Sequence, residues 1–192
     1  RDYKVTGVQT CALPISVYGN NEVRLALLDK WTPEQCAWHV QNNGGHTIAM
    51  YLAKYGYYKV RLALLDKWTP EQCTSHLQDS NGHTVAMHLA KYGSDEVRRA
   101  LLDKWSPEEC GSRLQSHNRR TVAMYLALYG CDTVRLALLD KWTPEQCYSH
   151  AVDCGWSTVS GYLTQYGGDL VRATLLNKWS PEHRASIRTT SS

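Results

Sequence analysis

The chain has 192 residues, with 21 Lys and Arg against 18 Asp and Glu and a formal net charge of +3. No apolar run approaches the ~20 residues that a membrane-spanning helix needs, so a transmembrane helix is excluded. Nucleic-acid-binding arrays usually gather Lys and Arg on one face, whereas here the Lys of each Asp-Lys-Trp has an acid beside it, which argues against that class.

At the N-terminus, Arg1-Asp2-Tyr3-Lys4 followed by VTGVQTCALPI (Val5 to Ile15) closely resembles the translation of a short-read sequencing adapter. Scars of this kind are set aside before a fold is read. Residues 1–16 are therefore treated as adapter-derived, and losing Arg1, Asp2 and Lys4 lowers the net charge from +3 to +2. Val17-Tyr18-Gly19 is in register with Lys54-Tyr55-Gly56, so native sequence is expected to resume in mid-repeat, its true start missing. The first copy then lacks its own first helix, and fraying is expected from Val17 to about Trp31.

From residue 17 onward one period governs the chain. Trp31, Trp68, Trp105, Trp142 and Trp179 are 37 residues apart, within LLDKWTPEQC, LLDKWTPEQC, LLDKWSPEEC, LLDKWTPEQC and LLNKWSPEHR. Upstream blocks HTIAMYLAKYG, HTVAMHLAKYG, RTVAMYLALYG and STVSGYLTQYG begin at His46, His83, Arg120 and Ser157, again 37 apart. A fixed period of this length marks a repeat architecture. The units are 17–45 (partial), 46–82, 83–119, 120–156 and 157–192.

Within one unit, Ile48, Leu52 and Tyr55 fall at i, i+4 and i+7 with Ala49 and Ala53 beside them, an apolar stripe at helical spacing. Thr47 is the N-cap, and Gly56 ends the helix where a left-handed residue is wanted. A second helix runs from about Tyr58 to Trp68, with Val60, Ala63, Leu64 and Trp68 on one face. Arg61 and Asp66 point toward water or the neighbouring repeat. Thr69-Pro70-Glu71-Gln72 is a capping-box sequence, so a third, short helical turn begins there. Thr74 to Gly82 is polar, ends in Asn-Gly and is read as loop. Two short helices cannot bury their stripes alone, whereas stacked copies can. The expected fold is all-α, a helical-repeat solenoid of about five repeats with the first truncated. Its tryptophans are core, each contributing about 1.5–3 kcal/mol.

GHTVAMHLAKYGSDEVRRALLDKW (Gly82 to Trp105) resembles the ankyrin-repeat pattern G-x-T-P-L-H-x-A-A-x-x-G-x-x-x-V-V-x-L-L-L. The match runs without a gap from Thr84 through Ala90, Gly93 and Val97 to Leu101 and Leu102, and recurs in every copy. Val85, Ala86 and Met87 replace the family's Pro, Leu and His, Trp105 replaces a helix-ending glycine, and the unit has 37 residues where the family has 33. Those departures leave the family's β-hairpin finger and the curvature open. HEAT and pentatricopeptide arrays are the alternatives, and they lack this Thr…Ala…Gly spacing. The resemblance implies a protein-binding module that uses its loop tips and first-helix face.

Cys36, Cys73, Cys110 and Cys147 recur at the period, three of them followed by His39, His76 and His150, with Arg113 in the third copy. A structural zinc needs four convergent ligands, and each Cys-x-x-His offers two. Packed elements ~8–10 Å apart keep copies from sharing a metal and put equivalent cysteines beyond the ~4.4–6.8 Å a disulfide spans. Cys131 and Cys154 are departures from the period that could pair. No metal, no cofactor and reduced thiols in a cytosolic compartment are expected. A Cys-His dyad duplicated as part of the scaffold does not build a single site, so no enzyme activity is expected.

Positions that differ between copies are free to serve recognition. They are Tyr51, His88, Tyr125 and Tyr162 on the first helix; the inter-helix turns such as Tyr57-Tyr58-Lys59; and the long loop. The candidate partner-binding residues are Trp38, His39, Tyr51, His76, His88, Arg113, Tyr125, Tyr148, His150 and Trp156, with Trp38, Tyr148 and Trp156 as aromatic anchors. The expectation is a monomeric protein-interaction scaffold with a protein partner. The alternatives are a targeting module of a larger enzyme or effector, and a structural spacer.

Overall fold

A computed structural model describes residues 14–38, 44–74, 78–110, 116–143, 146–147, 153–155 and 157–178, and within these every regular element is a helix. Four helices carry the first-helix blocks: α3 (Ile48–Tyr55), α6 (Val85–Tyr92), α9 (Val122–Tyr129) and α11 (Val159–Tyr166). Five carry the second: α1 (Asn21–Lys30), α4 (Tyr58–Lys67), α7 (Asp95–Lys104), α10 (Asp132–Lys141) and α12 (Asp169–Lys178). Short helices α2 (Pro33–Trp38), α5 (Pro70–Thr74) and α8 (Pro107–Cys110) follow the tryptophans. Among the described residues no helix is long and apolar enough to cross a membrane.

The start signals act as their chemistry dictates. Thr47, Thr84, Thr121 and Thr158 each accept at Oγ1 from the amide three residues on, satisfying one of the amides a helix start leaves open. At α5 the capping box closes both ways: Gln72 N–H donates to Thr69 Oγ1 at 3.3 Å, and Thr69 N–H donates to Gln72 Oε1 at 3.0 Å.

Helices of one kind pack on their own kind. α3, α6, α9 and α11 contact one another in chain order, as do α1, α4, α7, α10 and α12, while α5 lies against α6 and α8. The core between these rows holds Ile48, Leu52, Leu64 and their counterparts, none more than 1% exposed except Val85, Val159 and Leu175 at 4%, 5% and 2%, and Leu27 in the first copy, which is only partly buried. Trp68, Trp105 and Trp142 are 1%, 2% and 5% exposed and belong to it, and Trp31 packs at its edge. Trp179 lies outside the described residues.

Two details of the first helix differ from the sequence expectation. Tyr55 is not buried with Ile48 and Leu52 but 43% exposed: at the last turn the stripe has rotated past the edge of the packed face. Gly56 is not left-handed; its φ is −65°, and Gly93, Gly130 and Gly167 are alike. Glycine is needed there because of crowding, since a Cβ on Gly56 would lie 2.4 Å from the Leu52 carbonyl oxygen and 2.8 Å from Val60 Cγ1.

Arg61 and the lysines supply the remaining caps. Arg61 donates from Nε to Ala53 O at 2.8 Å and from a terminal nitrogen to Lys54 O at 2.9 Å, closing the C-terminus of α3; Arg98 and Arg135 do the same for α6 and α9. Lys67, Lys104, Lys141 and Lys178 reach into the preceding repeat and donate to Leu28, Leu65, Leu102 and Leu139 carbonyls. Cations at helix C-termini are favoured by the macrodipole as well as by the hydrogen bond.

The turns before α6, α9 and α11 are joined tip to tip. Ser80 N–H donates to Gly44 O, His117 N–H to Asn81 O and Cys154 N–H to Asn118 O, at 2.8, 2.8 and 3.1 Å. Gly45, Gly82 and Arg119 occupy equivalent positions with φ of 71°, 76° and 59°. This is the place in the unit where the backbone does require glycine's freedom, and Arg119 takes up the strain in the third copy.

Candidate functional site

Three of the ten candidate residues have described side chains, and they line one seam. Tyr51 is half-buried, His88 is 3% exposed and Tyr125 2%. Trp38 is the last residue of α2. His39, His76, Arg113, Tyr148, His150 and Trp156 lie outside the described residues.

The seam runs between the first helices and the turns that precede them. In each turn a small polar residue is buried: Asp79, Ser116 and Asp153 are 5%, 4% and 5% exposed. Asp79 Oδ1 accepts from the amides of Asn81 and His83, both at 2.9 Å, which folds the turn around the carboxylate. Its Oδ2 faces three imidazoles: His46 Nε2 at 3.4 Å, His83 Nδ1 at 3.3 Å and His88 Nε2 at 3.2 Å. One turn along, Ser116 Oγ accepts from the Arg120 amide, and His83 Nε2 hydrogen-bonds the Tyr125 hydroxyl at 2.9 Å. At the third turn, Asp153 Oδ1 accepts from Gly155 and Ser157 amides, while Oδ2 accepts from the Tyr162 hydroxyl and, at 3.3 Å, from Arg120 Nε.

The charges follow from these contacts. Burial opposes ionisation of Asp79, but the hydrogen bonds from His88 and from the His83 and Asn81 amides outweigh it and hold the carboxyl well below the usual range. Burial also dominates at His83 and His88 and lowers both, despite Asp79. Asp153 is likewise lowered, burial being outweighed by Tyr162, the turn amides and Arg120. The Tyr162 phenol is pushed up to about 12 by burial and by its bond to Asp153.

A second feature lies at the solvent edge of the same helices. Tyr55, Tyr129 and Tyr166 are 43%, 40% and 44% exposed, and Tyr92 is partly exposed. Each stacks on the variable residue one turn before it: Tyr51, His88, Tyr125 and Tyr162, with ring centroids 5.8 to 6.1 Å apart. Lys54 Nζ lies 5.0 Å from the Tyr55 ring centre and 5.8 Å from that of Tyr92, bridging two rungs. Beside the last rung is an open groove lined by Asn118, Arg120, Tyr162, Gln165 and Tyr166. The i, i+4, i+7 spacing of the first helix puts Tyr55 on the buried stripe, whereas it stands at the solvent edge with its counterparts. The available signal was chemical: at a helix end that should carry Leu, every copy carries Tyr.

Cys36, Cys73, Cys110 and Cys147 are buried free thiols, and burial pushes Cys73 and Cys110 up to about 12. Thiols so protonated are poor nucleophiles. Cys131 and Cys154 are also free.

No protein-family model matches the chain, and no curated protein matches it significantly.

Proposed function

We propose that this chain is an ankyrin-like array of stacked helical repeats that binds a protein partner and carries no catalytic site of its own. The observation that supports the reading best is the row of solvent-facing tyrosines at the repeat period, Tyr55, Tyr92, Tyr129 and Tyr166. Exposed aromatics in a contiguous line are costly to leave in water and mark interaction surfaces, and Tyr is enriched among residues that carry binding energy. His88 and Tyr125, buried beneath the row, serve it by fixing the angle of Tyr92 and Tyr129. Lys54 and Lys91 border the rings and suit a partner segment with acidic and apolar side chains. Trp38 at the end of α2, and His39, His76, Arg113, Tyr148, His150 and Trp156 outside the described residues, stay proposed partner contacts on their chemistry alone.

Selection of a displayed peptide library on the wild-type chain tests this. Peptides enriched on it should bind the Tyr55→Ser/Tyr129→Ser double variant at least ~30-fold more weakly, the equivalent of one hot spot of about 2 kcal/mol. Enrichment of nothing, or of peptides indifferent to the double substitution, overturns the reading.

A further inference from the structure

The three equivalent rungs of the seam solve the same problem differently. A buried carboxylate needs a compensating positive charge. Asp153 has one: Arg120, 33 residues earlier, donates Nε to its Oδ2. The residue 33 before Asp79 is His46, so an imidazole stands where the third rung has a guanidinium. The middle rung has Ser116 and no charge to compensate. Asp79 is thus the buried carboxylate whose counter-charge register is filled by histidine, and its side chain is 1% exposed.

What surrounds it is a donor set. His46 Nε2, Asp79 Oδ2 and a His88 nitrogen all lie within 4.8 Å of one another, with nitrogen-to-oxygen separations of 3.4 and 3.2 Å. Metal–ligand bonds of about 2.0–2.1 Å in a tetrahedral site place neighbouring ligand atoms ~3.3–3.4 Å apart, so two edges are already at length and the His46–His88 edge closes by rotation of His46, whose side chain is 17% exposed. Oδ1 is held by two amides, which leaves Oδ2 as a single, aimed ligand atom. Three imidazole nitrogens crowd that one oxygen, more donors than its two lone pairs accommodate. One cation held by His46, Asp79 and His88 relieves the crowding and leaves His83 as the outer partner, its Nδ1 on Asp79 and its Nε2 on Tyr125, the arrangement that orients metal ligands elsewhere.

We propose that His46, Asp79 and His88 form a site for one divalent transition-metal ion of the zinc class, bridging two adjacent repeats, with a fourth position open to solvent beside His46. Two nitrogens and one carboxylate oxygen select such a borderline cation over calcium or magnesium, which take oxygen. The Cys-x-x-His pairs have no part in this site. Among the described residues, the neighbouring rungs, with Tyr125 and Ser116 or Tyr162 and Arg120, hold no equivalent.

The test is calorimetric titration of the full chain with Zn²⁺, and with Co²⁺ read by visible absorption, for wild type, His46→Gln and His88→Tyr. The second variant places at position 88 the residue that Tyr125 and Tyr162 already occupy in sister copies, so its packing has precedent. One equivalent of metal is expected in wild type, weakened in both variants by at least the ~10–100-fold that loss of even an outer partner costs. No binding by wild type, or wild-type affinity retained by either variant, overturns the site. So does a thiolate-to-cobalt charge-transfer band that persists in both variants, which would assign the metal to cysteine.

Discussion

Asp153 keeps a negative charge in a turn that is 5% exposed, and it does so because four donors converge on it. Its folded pKa is depressed, so its contribution to stability is complete above the unfolded carboxylate value of about 3.9 and drains away as pH falls through that value toward the folded one. Asp153→Asn keeps the turn acceptor and loses the charge. It should cost about 1–2 kcal/mol at neutral pH, the scale of hydrogen bonds to a charged group, and the gap from wild type should shrink as acid is added. Thermal melts across pH check this; a gap that is constant down to strongly acid pH would show that the charge contributes nothing. At this scale the sequence was only partly legible. Asp79 and Asp153 sit in a polar tract that reads as variable loop, because burial of a loop carboxylate depends on how the first helix of the next repeat folds over it, through His88 or Tyr162 nine residues on, and on His46 or Arg120 33 residues back. The variable position at Tyr51, His88 and Tyr125 was legible as a place of special chemistry, but its burial beneath a row of tyrosines was not.

Among the elements, the caps were the most readable part. Thr-Pro-Glu-Gln gave its short helix, and from Thr47 on the first and second helices begin and end within a residue of expectation, since these signals act over three or four residues; in the first copy, expected to lack its first helix, residues 14–18 are helical. The glycine after each first helix was legible as a stop but not for its reason, because crowding by Leu52 O and Val60 Cγ1 is a product of packing. Arg135 shows how one side chain ties two elements: it joins α10 to the Ala127 and Leu128 carbonyls of α9 and to Asp132. It is 9% exposed. Arg135→Met should lower stability by about 2–3 kcal/mol, from lost charge-assisted bonds and stranded carbonyls, and Arg135→Lys should recover only part, because an ammonium lacks the planar fork. Urea midpoints of the three proteins decide it; equal midpoints for arginine and methionine would remove the cap from the account.

Over the whole molecule the 37-residue period was plain from the tryptophans, and the segregation of like helices onto like follows from it. The bonds that stitch copies together, such as Lys104 to Leu65 O, were not legible, because a lysine reveals nothing in sequence about a carbonyl 39 residues back. In the proposed stacked array, stability is a sum over neighbours. α1 packs on α4 and has Trp31 only at the edge of the core, so amides of residues 17–31 should exchange faster than those of α6, α7, α9 and α10. Native-state hydrogen exchange measures this, and equal protection would refute it.

The long-range side-chain hydrogen bonds that join one described repeat to the next span between 36 residues, as in Cys131 to Asp95, and 42, as in His83 to Tyr125. Every rung therefore closes a loop of nearly the same length, and the entropy of closure is the same wherever along the chain it is met. Adding copies lowers relative contact order without introducing any slower step. On the proposed stacked-repeat plan, an array can lengthen or shorten by whole units while its folding barrier stays that of a single pair of neighbours.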